Sequence, residues 1–159
     1  MLIVGCGCRG RELATALVAD GRAVRGTSRS EVGRAAIEEA GFEGVVADPD
    51  RPGTVLTAVE GVSLAVWLMG SATGSAAQLA ALHGPRLETL LERLVDTHVR
   101  GFVYEAHGSV DPRLLDGGAA AVRSAAATWS IPVQVAGADP GDRKAWLATM
   151  RAAVAEALA

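Results

Sequence analysis

Cysteine is scarce in this sequence, and its placement excludes most of the roles that cysteine plays in proteins. Only two occur in 159 residues, Cys6 and Cys8. Two cysteines separated by a single residue are too close for an ordinary disulfide, and there is no third cysteine to complete a metal site. We therefore expect neither a disulfide framework nor a bound metal. The pair is interpreted as small fillers of a turn or, alternatively, as a redox-sensitive thiol.

Lysine and tyrosine are scarcer still, with one of each, Lys144 and Tyr104. No stretch approaches the roughly 18 consecutive apolar residues that a membrane span needs. The net charge of −3 and the dispersed basic residues argue against nucleic acid as the main partner. The first residues show no basic segment followed by an apolar run, because strand-type residues begin at Leu2, so a cytoplasmic protein is expected.

The opening stretch, MLIVGCGCRGRELATAL, reads as strand, G-x-G-x-x-G and helix. In such a turn the first glycine allows the tight turn and the second lets backbone approach a pyrophosphate. The third lets the helix pack on the strand, and the helix N-terminus presents unpaired N–H groups to the anion. The pattern therefore predicts a dinucleotide site. Its turn residues are Gly5, Gly7, Cys8, Arg9 and Gly10.

Strand and helix patterns alternate from end to end without a linker, repeat or charge run. This alternation predicts an α/β Rossmann fold, a doubly wound, six-stranded parallel sheet in the order 3-2-1-4-5-6, with residues 1–159 as one domain. The second strand is expected over Arg22 to Thr27. The helix that follows Asp111-Pro112 is expected to be interrupted at Gly117-Gly118, and the last helix is expected to open at Asp139-Pro140.

The end of the second strand predicts which dinucleotide is preferred. An acidic residue there binds the ribose 2′-hydroxyl of NAD, whereas basic or hydroxyl side chains accept the 2′-phosphate of NADP. Here the chain reads Thr27-Ser28-Arg29, with no carboxylate before Glu31. NADP(H) is therefore expected as the cofactor, with Arg9 reaching the same phosphate from the glycine turn. The alternative for both arginines is a solvated surface charge.

Two further strand ends are expected to reach the adenosine half of the cofactor. Asp48, just past the third strand, can accept a hydrogen bond from the adenine amino group or can serve as a turn residue before Pro49. The fourth strand ends at Leu68, Met69 and Gly70, whose backbone is expected to pass close to the ribose or the pyrophosphate.

The residues quoted above resemble the short-chain dehydrogenase/reductase superfamily, in particular its atypical and extended branches. Members of these branches often read G-x-G-x-x-G-x-x-L-A, which is matched here from Gly5 through Leu13 and Ala14. The resemblance covers essentially the whole chain as a Rossmann core. It implies an NADP-type cofactor site at Thr27 to Ser30 and Asp48, and a homodimer formed by the helices around Leu87 to Val95 and Ala119 to Trp129.

The catalytic motif of that superfamily is missing. Its members typically use a tyrosine with a lysine four residues later on the same helix, whereas here the fourth residue after Tyr104 is Gly108. Tyr104 also falls in the fifth strand, where a packing role is expected. Ser109 roughly matches the position of the superfamily's active-site serine, and its alternative role is that of a loop or cap residue.

The candidates near a nicotinamide lie at the ends of strands four to six. His107 is the most attractive, because imidazole exchanges protons near neutral pH, although a structural or merely exposed histidine is the alternative. The other candidates are Met69, Ser71, Glu105, Ser109 and Asp139. Two functions follow: an NADP(H)-dependent oxidoreductase of unknown small-molecule substrate with an unconventional proton donor, or a non-catalytic NADP(H) sensor or scaffold.

Overall fold

The computed structural model describes all 159 residues as six strands that alternate with seven helices. The strands are β1 (Leu2–Val4), β2 (Arg25–Ser28), β3 (Glu43–Val46), β4 (Leu64–Trp67), β5 (Gly101–Glu105) and β6 (Val133–Ala136). The helices are α1 (Cys8–Ala19), α2 (Glu31–Glu39), α3 (Pro52–Ala58), α4 (Ala76–Leu82), α5 (Pro85–Leu94), α6 (Pro112–Trp129) and α7 (Arg143–Ala157).

The strands form one parallel sheet in the order β3-β2-β1-β4-β5-β6, which confirms the predicted fold. The order reverses between β1 and β4, where Leu2 pairs with Ala65 and Val4 with Trp67. Ligands of open α/β sheets bind beyond the carboxyl ends of the strands at such a reversal. The glycine turn, which directly follows β1, therefore lies at the expected binding edge.

The two faces of the sheet bury separate apolar clusters. Successive side chains of a strand point to opposite faces, so Ala65 and Trp67 pack with α3, α5 and α6, while Leu64 and Val66 pack with α1 and α7. Both clusters reach the central strands, which explains why β4 and β5 are buried along their whole length.

The leucines of α5 belong to this core. Leu87, Leu90, Leu91 and Leu94 are each at most 1% exposed and pack in the cluster that contains Trp67 and Phe102. The expected leucine surface for a homodimer is therefore already covered within the chain. In the two segments that were assigned to the dimer, the large apolar side chains that are exposed are those of Val95 and Trp129.

Three expected boundaries were wrong. β2 begins at Arg25 rather than Arg22. Helix α6 runs without interruption through Gly118. The residue is a glycine because of packing and not because the helix breaks there: a Cβ would come within 2.1 Å of the Tyr104 hydroxyl. The last helix begins at Arg143, with the Asp142 carboxylate accepting from a first-turn amide as its N-cap.

No helix of the chain is both long enough and apolar enough to cross a membrane.

Candidate functional site

The glycine turn between β1 and α1 has a backbone that only glycine accommodates at its first position. Gly5 has a φ of +84°, and a Cβ there would lie 2.8 Å from the Leu68 carbonyl oxygen. At Gly10 a Cβ would come within 3.2 Å of the Gly5 carbonyl oxygen. Gly7 differs, since no atom lies within 4 Å of where its Cβ would be. The turn is thus closed on the protein side and open above Gly7.

Helix α1 begins at this open position without a side-chain cap. Gly7 is the N-cap, and the first helical bond runs from the Arg11 amide to the Gly7 carbonyl at 2.9 Å. The amides of Cys8, Arg9 and Gly10 consequently have no protein acceptor, and they carry the positive end of the helix dipole. Such an arrangement can bind a phosphate through backbone N–H groups alone.

The two cysteines of the turn have different environments. Cys6 is buried, and burial raises the pKa of its thiol to about 11. Cys8 is exposed, and its Sγ accepts a hydrogen bond from the Arg11 guanidinium at 3.4 Å. Cys6 acts as a filler, since a Cβ at Gly26 of β2 would come within 2.6 Å of its sulfur.

A cavity of about 450 Å³ lies above the turn. It is walled by the glycine turn, by the carboxyl ends of β2, β3 and β4, and by helix α4, which is consistent with a small-molecule site. Of the expected cofactor residues it contains Gly5, Gly7, Cys8, Arg9, Gly10, Thr27, Ser28, Arg29, Asp48, Leu68 and Met69. Gly70 is not among the lining residues.

The end of β2 brings a hydroxyl and a guanidinium to one side of the cavity. Thr27 is buried, and its Oγ1 accepts from the Gly5 amide at 3.2 Å, so this hydroxyl supports the turn. Ser28 Oγ accepts from the Ser30 amide at 3.3 Å. Arg29 is exposed, lines the cavity and makes no ion pair. Arg29 is therefore the cation on this side that is free to meet an anionic ligand.

Asp48 both lines the cavity and shapes its own turn. Its Oδ1 accepts from the Asp50 amide at 3.0 Å, and its backbone amide donates to Thr54 Oγ1 at 2.8 Å. Asp50, in turn, forms an ion pair with Arg86 at the start of α5. The turn role of Asp48 is thus present, and the residue also lines the cavity.

Arg9 has a partner that the sequence did not reveal. Its Nη1 donates to Glu105 Oε1 at 2.8 Å, and its guanidinium lies 5.3 Å from the ring centroid of Trp146. The same carboxylate accepts from Trp146 Nε1 at 2.9 Å and from the Gly70 amide at 3.0 Å. Arg9 therefore points toward β5 rather than toward the end of β2.

Glu105 is completely buried at the end of β5. Burial raises the pKa of its carboxyl, and the charge of Arg9 and the three donors act in the opposite direction. The carboxylate connects α1, the β4 end and α7. We describe Arg9, Gly70, Glu105 and Trp146 together as the Glu105 network.

The two catalytic candidates lie outside the cavity. His107 Nδ1 is 3.8 Å from Asp139 Oδ1, with 49% and 65% of the two side chains exposed. Ser109 is exposed, and its amide donates to Ser71 Oγ at 3.4 Å. The structure thus brings His107 and Asp139 together on the open surface beyond β5 and β6.

A buried polar pair that sequence reasoning missed lies beneath the cavity. His83 Nδ1 is 2.7 Å from the Tyr104 hydroxyl, and His83 Nε2 is 3.2 Å from the Met69 carbonyl oxygen. Because a carbonyl can only accept, Nε2 carries the proton and Nδ1 accepts from the tyrosine. Burial lowers the pKa of His83 and raises that of Tyr104. Tyr104 is packed within the core, as expected, and has no access to a ligand.

No protein-family model matches this sequence, and no curated protein matches it. Solved structures match its fold. A short-chain dehydrogenase/reductase superfamily protein from Agrobacterium tumefaciens with bound NAD is 21% identical with a TM-score of 0.67, covering 84% of this chain and 47% of that one. A Citrobacter sp. triphenylmethane reductase complexed with NADP(H) is 18% identical with a TM-score of 0.61, covering 84% and 47%.

A third match is UDP-glucuronic acid 4-epimerase from Bacillus cereus in complex with NAD, at 14% identity and a TM-score of 0.62. The match covers 84% of this chain and 54% of the epimerase. The chain thus spans about half the length of the solved structures that it matches. At these identities the comparison establishes the fold, and the Rossmann core implied by the resemblance is confirmed.

Proposed function

We propose that this chain binds a nicotinamide dinucleotide in the cavity above the glycine turn. The observation that carries the proposal is the open space at Gly7 beside three unpaired amides at the start of α1. A pyrophosphate is the group that such a surface complements, because it is anionic and approaches backbone closely. Matching solved structures with bound NAD or NADP(H) support a dinucleotide of this class.

NADP(H) is the dinucleotide we propose. The 2′-phosphate needs a cation at the end of β2, and Arg29 is exposed there without an ion-pair partner. No carboxylate stands at that strand end to select the 2′-hydroxyl of NAD. Arg9 is engaged with Glu105, so its contribution to the 2′-phosphate stays a prediction and the preference depends mainly on Arg29.

The proposed reaction is hydride transfer to a small-molecule substrate that the sequence does not identify. When bound, the nicotinamide supplies the hydride, and the chain supplies binding and orientation. His107 is the proposed proton donor, because Asp139 lies on the Nδ1 side of the ring and leaves Nε2 free to exchange a proton with a substrate. Ser109 is proposed as a hydrogen-bonding neighbour.

The second candidate is a non-catalytic NADP(H) sensor or scaffold. It is favoured by the burial of Tyr104, the only tyrosine, which removes the superfamily's usual proton donor from any ligand. A cytoplasmic location and a homodimer remain predictions, and light scattering that shows a monomer at high concentration would contradict the dimer.

Arg29→Ala tests the cofactor assignment. Loss of a charge-assisted contact of about 1.5–3 kcal/mol should weaken NADPH binding by roughly tenfold to a hundredfold and leave NADH binding nearly unchanged. Arg123→Ala, on the exposed face of α6, is the matched control and should change neither. Equal losses of NADPH and NADH affinity in Arg29→Ala would refute the phosphate role.

Turnover separates the two candidates. NADPH oxidation is measured across a panel of carbonyl compounds and quinones with the wild type and with His107→Ala. His98→Ala, an exposed histidine remote from the cavity, is the control. Loss of turnover only in His107→Ala supports the enzyme, unchanged turnover removes His107 from the mechanism, and no turnover with any substrate alongside tight binding supports the sensor.

A further inference from the structure

The surface at the carboxyl end of the sheet has two unlike halves. On the β1, β2 and β3 side the strand ends and α4 enclose the cavity, and Leu79 and Leu82 provide an apolar wall. The cavity stops at the β4 end, and no residue of β5, β6 or the loops after them lines it. The cavity is therefore enclosed on the side of Arg29 and Asp48, at the ends of β2 and β3, and it does not extend over the ends of β5 and β6.

The boundary between the halves is a close contact of two loops. A Cβ on Gly108, after β5, would lie 2.0 Å from the carbonyl oxygen of Gly70, after β4. The same oxygen accepts from the Val110 amide at 3.0 Å. The two loops are thus pressed together, and no groove runs between the ends of β4 and β5.

Beyond that contact the surface is open. His107 and Asp139 have about half and two thirds of their side chains exposed, and Ser109 is exposed as well. A group placed there meets protein on one side only, whereas a small-molecule site ordinarily buries most of its ligand.

We propose that the chain holds its dinucleotide by the adenosine half and leaves the nicotinamide half on this open surface. The proposal rests on the dinucleotide function proposed above and deepens it. The ligand class that the walled cavity itself recognises is an adenosine 5′-diphosphate, with Arg29 selecting a 2′-phosphate. The nicotinamide end adds little to the affinity, because it gains few contacts and loses little water.

Truncated ligands test the proposal. Dissociation constants are measured by calorimetry for NADPH and 2′-phospho-ADP, and in parallel for NADH and ADP. We expect the truncated nucleotide to bind within fivefold of its parent, and nicotinamide mononucleotide to give no heat at millimolar concentration. A dinucleotide that binds more than fivefold tighter than its adenosine half would overturn the proposal while leaving the dinucleotide function intact.

A second measurement reads the exposure of the nicotinamide directly. The fluorescence of protein-bound NADPH, at saturating protein, is titrated with iodide. An open nicotinamide should be quenched with a constant within twofold of that of free NADPH, whereas more than fivefold protection would contradict an open surface. If neither the dinucleotides nor the adenosine nucleotides bind, the proposed function itself is wrong. If the dinucleotide binds tightly but its adenosine half does not, only the open placement of the nicotinamide is wrong.

Discussion

Replacing Glu105 tests the most densely connected contact of the site. The side chain is completely buried, and its two oxygens accept from Arg9, Trp146 and Gly70 at 2.8, 2.9 and 3.0 Å. In Glu105→Ala the Trp146 indole and the Gly70 amide lose their acceptor inside the protein. Arg9 is partly exposed and can turn toward water. The variant should therefore be destabilised chiefly by the two buried donors.

The magnitude follows from those donors. Each of the two buried groups left without a partner costs about 1–3 kcal/mol, so Glu105→Ala should lose about 2–6 kcal/mol of unfolding free energy. Glu105→Gln keeps one acceptor oxygen and the volume, so it should lose roughly half as much. Glu43 also lies in a strand and pairs with an arginine, but its side chain is 58% exposed. Glu43→Ala should change stability by no more than about 1 kcal/mol.

Urea unfolding followed by circular dichroism measures these differences as changes in the midpoint at constant slope. The pH dependence of the free energy of unfolding provides an independent test. Burial raises the pKa of Glu105 above its ordinary value of 4.5, so its favourable contribution should be complete below that pH and be lost as pH rises through the folded-state pKa. Glu105→Gln should lack this loss. The reasoning is refuted if Glu105→Ala is no more destabilising than Glu43→Ala.

Three other predictions address the turn and the core. Gly5→Ala should lower the free energy of unfolding by about 3 kcal/mol, because the strain of the left-handed backbone adds to a clash with neighbouring backbone. Gly21→Ala has a similar φ but open space, so it should lower it by about 1 kcal/mol; thermal or urea unfolding measures both. Since burial lowers the pKa of His83, wild-type stability should fall as pH drops below about 6.5, and His83→Asn should reduce that fall. A maleimide should label Cys8 much faster than Cys6, whose buried thiol has a pKa of about 11, and NADPH should protect Cys8; equal labelling would contradict the assigned burial.

The fold could be predicted because its signals are local. The glycine spacing after β1, the wholly apolar β4 and the leucine period of α5 each identify their element from neighbouring residues alone. The handedness of βαβ connections then leaves few strand orders to choose from. The surprise at α6 came from a contact between distant residues: Gly118 lies in mid-helix because Tyr104 occupies the space that a side chain there would need.

The direction of Arg9 could not be predicted for the same reason. Arg9 and Glu105 are 96 residues apart, and only the sheet order brings the start of α1 beside the end of β5. The sequence placed both residues near the cofactor but gave no sign that one would neutralise the other. His83 likewise has a partner that is distant in the sequence, since Tyr104 lies 21 residues further along the chain.

The measurement that most directly tests the central claim is a calorimetric titration of the unmodified chain with NADPH and with NADH. A phosphate cradle at Gly7 and a free cation at Arg29 predict one binding site for both, with NADPH at least tenfold tighter. Saturable binding with that preference would support a dinucleotide site selective for the 2′-phosphate. No heat with either dinucleotide at millimolar concentration would contradict it.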